Sequence, residues 1–401
     1  MSLVTPIWRP EGANAANDAL ARALALQPLL AEAAPQHDRT RELSPAVIEA
    51  LHAADFYRLL LPRSIGGQET PLPLYAQAIE ALAYADASTA WCLNQSNVST
   101  CAAAYMDREA AREMFGQPAT GLAWGSRHDR SVVVAVDGGY LVTGRWSFAS
   151  GNRHVPWMGA HSLVRQPDGS PVLRPDGTPE ERSFLFPRGQ AAVTDDWQVL
   201  GLRGTGSDTY EVRELFVPAA RCPARDRPEE RRENGPLYKF VSHIAYASGF
   251  SGIALGVARS LLDAATALCR GKNSRAAINP LAQNQAVQQN IAGLEARWHA
   301  ARAYWLQTMV ECWKAAQQDE LPLSHRLSLR LATTHAMNEA TEVSVGAYRA
   351  TGAHGPLDSQ PFERRFRDAM TVSQHLQASA AHVEAVGRHL LGAEAVGQFY
   401  A

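Results

Sequence analysis

The chain has 401 residues, enough for two or three packed units with a large core. Its 38 Lys and Arg nearly cancel its 40 Asp and Glu, so it lacks the basic excess that a general nucleic-acid or membrane-surface binder needs. Five scattered cysteines (Cys92, Cys101, Cys222, Cys269, Cys312) form no C-x-x-C pair and read as reduced thiols of a cytoplasmic protein.

Residues 1–118 read as a helical region. Residues 13–34 are Ala/Leu-rich and amphipathic rather than a charged-then-apolar leader. Apolar residues recur at helical spacing through Ala19–Leu30, Pro45–Leu61 and Leu74–Ala90, and a further helix is expected over Asp107–Phe115. Ser44-Pro45 supplies a cap and first-turn pair. Residues 119–222 change character. Ser131–Ala135, a turn at Asp137-Gly138-Gly139 and Tyr140–Phe148 predict a hairpin, with further strands at Trp157–Arg165, Ser183–Phe186 and Tyr210–Val217. Residues 224–233 are a mixed-charge stretch that reads as a solvated connector. Long helical patterns return at 237–270, 280–317, 323–352 and 361–397, so residues 234–401 predict a four-helix bundle. The fold class is mainly α with a central β unit.

Residues 240–258 carry no Asp, Glu, Lys or Arg, yet their serines and His243 suit a hydrocarbon span poorly. Gly252 and Gly256 suit a buried helix against which neighbours pack closely, so no membrane span is expected.

Several side chains carry possible chemistry. Trp146 and Phe148 alternate with Ser147, which on a regular strand turns both aromatics to one side. Ser150-Gly151 then ends the strand and places a hydroxyl at its rim. His375 is expected on a helix, on the same face as Asp368 and Thr371 or Val372. An imidazole with an ordinary pKa near 6.5 exchanges a proton close to neutrality. His375, His382 and His389 recur every seven residues, but that spacing advances a helix by roughly 10 Å, too far for neighbouring ligands of one metal. There is no G-x-G-x-x-G after a strand and no P-loop, which argues against a nicotinamide or nucleoside-triphosphate site.

Five segments in order resemble the acyl-CoA dehydrogenase fold: Leu61-Pro-Arg-Ser-Ile-Gly-Gly67, Asp86-Ala-Ser-Thr-Ala-Trp91, Gly144-Arg-Trp-Ser-Phe-Ala-Ser-Gly151, Gly201-Leu-Arg-Gly-Thr-Gly-Ser207 leading to Phe216-Val-Pro218, and Arg364-Arg-Phe-Arg-Asp368. The third and fourth look most like the oxygenase components of two-component flavin-dependent monooxygenases. The resemblance implies an N-terminal helical domain, a middle β-barrel and a C-terminal four-helix bundle, assembled as a homotetramer. It implies reduced FMN or FADH2 delivered by a separate flavin reductase, with O2 as co-substrate and a flavin C4a-hydroperoxide as the oxygenating species.

In such enzymes a serine at the position of Ser150 hydrogen-bonds the flavin edge near N5, where a fixed donor would slow loss of hydrogen peroxide. Trp146, Phe148, Thr205, Ser207 and Arg270 complete the implied cofactor set, with Arg275 the second choice for the phosphate. Trp91, Asn94, Trp124 and Trp197 are the expected substrate contacts, with Asn97 and Trp157 in neighbouring segments. His375 would handle a proton of a small aromatic or heteroatom-containing substrate.

One absence separates this reading from acyl-CoA dehydrogenation. That reaction needs a carboxylate base, placed by family members in the last segment or on an earlier bundle helix. Here the last segment offers His375 and Leu376, with no carboxylate between Asp368 and Glu384, and no Asp or Glu lies between Glu233 and Asp263. A dehydrogenase or oxidase with a displaced base is one rival, and a non-catalytic helical assembly of the same fold is another.

Overall fold

The structure, a computed structural model, describes residues 7–10, 18–126, 131–271 and 280–393. Its N-terminal part comprises α1 (Ala19–Thr40), α2 (Pro45–Ala53), α3 (Leu72–Ala85), α4 (Ala87–Thr100) and α5 (Arg108–Phe115). The single helix expected over Leu74–Ala90 is two. Asp86 adopts an extended backbone (φ −148°, ψ 110°), ends α3 and caps α4 by accepting from the Ser88 and Thr89 N–H groups. The run expected to Leu61 stops at Ala53, where the chain turns through Asp55 at φ 56° into a 3₁₀ turn.

A curled seven-stranded sheet follows: β1 (Leu122–Trp124), β2 (Val132–Val136), β3 (Gly139–Ala149), β4 (Trp157–Arg165), β5 (Glu181–Pro187), β6 (Ala192–Thr194) and β7 (Asp208–Pro218). The strand order is β1-β4-β2-β3-β7-β6, with β5 on β4. The predicted β2–β3 hairpin is present, turning at Gly138 with φ 73°. The long β3–β7 pair slips register between Trp146 and Ala149. This bulge corrects the expectation that Trp146 and Phe148 share a face. Trp146 is wholly buried against Tyr210, whereas Phe148, at φ 66°, stands 59% exposed.

The bundle comprises α6 (Ser242–Gly271), α7 (Gln285–Gln318), α8 (Leu323–Thr351), α9 (Phe362–Ser373) and α10 (Ala380–Leu390). The apolar α6 is largely buried, packed on α3 and α8. Its glycines permit that approach: a Cβ on Gly252 would lie 2.7 Å from the Ala76 carbonyl oxygen, and one on Gly256 2.3 Å from that of Glu80. Arg302 on α7 grips Glu80 on α3 through two bonds of 2.6 and 2.8 Å, so helical part and bundle share one core.

Two further expectations are corrected. The last helical pattern does not run from 361 to 397: α9 stops at Ser373, and His375 adopts extended backbone as the cap of a 3₁₀ turn, Leu376–Ala378. His375 and His382 therefore do not share a helix. The connector 224–233 is anchored rather than freely solvated. The Arg225 guanidinium lies 4.1 Å from the Trp124 ring centroid, Arg227 pairs with Glu180 at 2.7 Å, and Asp226 accepts from the N–H of Ser242 at the start of α6.

Candidate active site

The site grows from two neighbouring loops. After β3, Ser150-Gly151-Asn152 turns sharply, with Gly151 at φ 75°. The turn is stitched to residues 203–207: Gly151 N donates to the Thr205 carbonyl at 2.9 Å, and Asn152 Nδ2 donates to that of Gly206 at 2.7 Å. Hydroxyls line the seam. Ser150 Oγ lies 2.7 Å from Ser207 Oγ, which lies 2.6 Å from Thr205 Oγ1, and Thr205 donates to the Leu202 carbonyl at 2.8 Å. Trp91 Nε1, from α4, donates to Ser150 Oγ at 3.0 Å. Thr205 and Ser207 are buried, so they belong to this hydrogen-bonded layer.

A second loop brings His375 to the same place. Its ring packs 4.1 Å from that of Phe250 on α6 and meets the Trp91 ring edge-on at 5.3 Å. His375 Nδ1 accepts from the Gln377 N–H at 3.3 Å, which leaves the proton of a neutral ring on Nε2. Gln377 is itself anchored to α8, its side-chain oxygen by Arg330 and its carbonyl by Thr334. Burial, with His382 nearby, pushes the His375 pKa down to about 4, so the imidazole is neutral at physiological pH.

Behind both loops lies a buried ionic cluster. Asp86 accepts from His37 Nδ1 at 2.8 Å and from the Thr89 hydroxyl at 2.6 Å. Burial opposes its ionisation, yet His37, Arg364 and Thr89 together hold its pKa below the ordinary value. Arg364 lies 4.0 Å from Asp86 and 3.6 Å from Asp368. Asp368 Oδ1 accepts from the Leu202 N–H at 2.7 Å, and burial pushes its pKa up to about 7 despite Arg364. The Arg-Arg-Phe-Arg-Asp run thus acts as a clamp on the 201–207 loop. Arg367 adds bonds to Asp38 and to the Leu200 carbonyl.

The sequence-derived set divides. Ser150, Ser207, Thr205, Trp91 and His375 converge. Phe148 and Trp197 form an outer aromatic pair, 6.0 Å apart and edge-on, with Trp197 Nε1 bonded to the Leu202 carbonyl. Trp146 is removed from the set because the bulge buries it in the sheet core. Asn94 is removed too: wholly buried, it accepts from the Tyr75 hydroxyl at 2.9 Å and donates to the Tyr246 carbonyl, packed where a Cβ on Gly249 would collide with it. Asn97 is likewise spent on the Phe56 and Leu93 carbonyls. Trp124 lies under Arg225, and Trp157 under Arg221.

Arg270 is exposed at the end of α6, twenty residues beyond Phe250. That is roughly 30 Å along the helix, so it does not join Ser150 within one chain. Arg275 lies outside the described residues. Sequence reasoning missed Phe250, which carries no sign of its role beyond its place on an apolar helix.

Models of the acyl-CoA dehydrogenase N-terminal and C-terminal domains match residues 17–120 and 248–380, together more than half of the chain. The chain belongs to the acyl-CoA dehydrogenase superfamily. Within that superfamily it groups with flavin-dependent monooxygenases. It is 28% identical over 341 residues to an indole-3-acetate monooxygenase of Pseudomonas putida, covering 85% of each chain. It is also 28% identical over 365 residues to the HsaA oxygenase subunit of a flavin-dependent monooxygenase from Rhodococcus jostii, covering 88% of this chain and 92% of that one. The crystal structure of HsaA from Mycobacterium tuberculosis superposes with a TM-score of 0.86 at 26% identity, over 96% of this chain and all of the other.

Dehydrogenation of an acyl-CoA requires a base to remove the substrate α-proton. On α6, no Asp or Glu precedes Asp263, which is engaged by Arg259 at 2.6 Å and Tyr84 at 3.1 Å. The turn after α9 presents His375.

Proposed function

We propose that the chain is the oxygenase component of a two-component system: it takes reduced FMN or FADH2 from a separate reductase and inserts one oxygen atom of O2 into a small aromatic or heteroatom-containing compound. Bound there, the reduced flavin would supply the electrons that activate O2. The residues present fit such a group. Ser150 Oγ is nine-tenths buried and retains an unused lone pair, and the exposed Phe148 ring beside its turn offers an apolar face.

The observation that carries the reading is the convergence of Ser150 and His375 across Trp91, with no carboxylate base in contact with either among the described residues. Trp91 and Phe250 exclude water, which strengthens every polar contact in the pocket. His375 offers an Nε2–H donor. Its Nδ1 is already engaged, so the geometry favours donation to an oxygen over removal of a substrate proton. A partner reductase accords with the words "oxygenase subunit" in the name of the Rhodococcus relative. In this reading the exposed Arg270, far from Ser150 of its own chain, would serve the flavin phosphate of another copy, as a homotetramer would allow. The five cysteines, all free thiols, accord with a cytoplasmic setting.

A direct test mixes the protein with anaerobically reduced FMN, adds oxygenated buffer, and compares the rate of flavin reoxidation with that of free flavin. Slower reoxidation on the protein is expected, with less peroxide per flavin when an aromatic substrate is present. Reoxidation at the free-flavin rate, with all oxygen recovered as peroxide, would sink the oxygenase reading. Bleaching of bound oxidised flavin by an acyl-CoA would favour the dehydrogenase.

A further inference from the structure

The hydroxyl chain behind Ser150 has a direction, and that direction fixes which role Ser150 can play. A carbonyl oxygen only accepts, so the contact at 2.8 Å between Thr205 Oγ1 and the Leu202 carbonyl uses the single Thr205 proton. At the next contact, 2.6 Å, Thr205 can therefore only accept, and Ser207 must donate. Ser207 then has no proton left for Ser150, so Ser150 donates across 2.7 Å. Trp91 Nε1, a donor only, fills one lone pair of Ser150 at 3.0 Å. Every proton in the chain is assigned. What remains on Ser150 Oγ is one lone pair.

The origin of the chain is itself held. The Leu202 carbonyl also accepts from Trp197 Nε1 and from the Thr205 N–H, while the Leu202 N–H is taken by Asp368. Thr205 and Ser207 are 1% and 3% exposed, so no solvent water competes to reverse the order.

We infer that Thr205 and Ser207 are positioning residues that make Ser150 an obligate hydrogen-bond acceptor, and that this makes the site select reduced over oxidised flavin. The inference rests on the reading that Ser150 faces flavin N5. Reduced flavin carries a proton on N5 and can donate it to the Ser150 lone pair. Oxidised flavin has a lone pair there instead, and two acceptors repel. The donor expected from the sequence is thus reversed, because the serine proton is already committed. For a protein that receives its flavin reduced and must shed it oxidised, the polarity of this chain favours both the loading and the release.

The test measures dissociation constants of reduced and oxidised FMN, without oxygen or substrate, for the intact protein and for Thr205→Val, Ser207→Ala, Ser150→Ala and Thr205→Ser. The intact protein should favour reduced FMN. Thr205→Val and Ser207→Ala break the order and free Ser150 to donate, so the ratio of the two constants should fall by roughly tenfold, as expected for one hydrogen bond gained or lost. Thr205→Ser, which keeps the hydroxyl, should restore it. If Ser150→Ala lowers the ratio but Thr205→Val and Ser207→Ala do not, the directed chain is wrong while the flavin placement stands. If Ser150→Ala leaves both constants unchanged, the placement of Ser150 at the flavin is itself wrong.

Discussion

The two arms of the site are built on different physics. The Ser150 arm is a turn bonded to a neighbouring loop through the Gly151 N–H, the Asn152 amide and the Ser150 hydroxyl, and that loop is clamped by buried charges. The His375 arm is a short turn beyond the end of a helix, held by ring packing on Phe250 and Trp91 and by a 3.3 Å bond to Gln377. The first arm fixes a direction for each proton. The second fixes the place of a ring and leaves one edge free. A site that holds a cofactor in one redox state and then lets a varied substrate approach has use for both.

The contrast can be broken most forcefully at Asp86. Replacing it by alanine removes the cap of α4, strips the buried His37 Nδ1 of its acceptor and leaves Arg364 with Asp368 alone. A loss of about 3 kcal/mol or more in a denaturant titration is expected. A loss under about 1 kcal/mol would show that the clamp is dispensable.

At the other arm, His375→Ala should lower coupled oxygenation by roughly a hundredfold while peroxide release rises. Anaerobic affinity for reduced flavin should hardly change. Because the ring is neutral, the oxygenation rate should show no His375 ionisation between pH 5 and 8, spanning its ordinary 6.5 but not its displaced value of about 4. A limb near 6.5 that disappears in the alanine variant would contradict that state.

Stability against pH offers a broader test. Burial pushes His154, His243, His375 and His382 each down to about 4. For these groups protonation favours the unfolded chain, so the stability they contribute is present above about pH 6.5 and declines as pH falls towards 4. Asp368 works the other way: its raised pKa favours the folded state at low pH, and that contribution fades as pH rises through about 7. A melting temperature that climbs steadily from pH 7 to pH 5 would overturn the balance in favour of the histidines.

The smallest effect is expected at Phe148, which holds φ 66° with most of its ring exposed. Phe148→Gly should stabilise the fold by up to about 1 kcal/mol through relief of that backbone, while weakening flavin binding. Stronger binding in this variant would remove Phe148 from the cofactor wall.

Much of the Ser150 arm was legible because its parts are local. Trp146 to Gly151 spells a strand end and a turn, and Gly201 to Ser207 a second tight loop. The bulge at Phe148 was not legible, since a phenylalanine gives no sign of a positive φ. The break after Ser373 was hidden by a run with helical periodicity on both sides of it. The fate of Asn94 depends on Gly249, far along the chain on α6, and that distance defeats any local reading. Arg364 to Asp368 stood out as a motif, but its work as a clamp appears only once Asp86 and Leu202 are brought beside it.

The clamp also sets an order of assembly. Along the chain His37 and Asp86 come first, Leu202 follows, and Arg364 and Asp368 come last of the five. Until α9 docks, Asp86 lacks its guanidinium and the Leu202 N–H lacks its acceptor. The hydroxyl layer above them then has no fixed origin. Contacts so distant in sequence form slowly. The pocket is therefore completed only once α9 has been made and docked, and a nascent chain that stops short of α9 holds a half-built site.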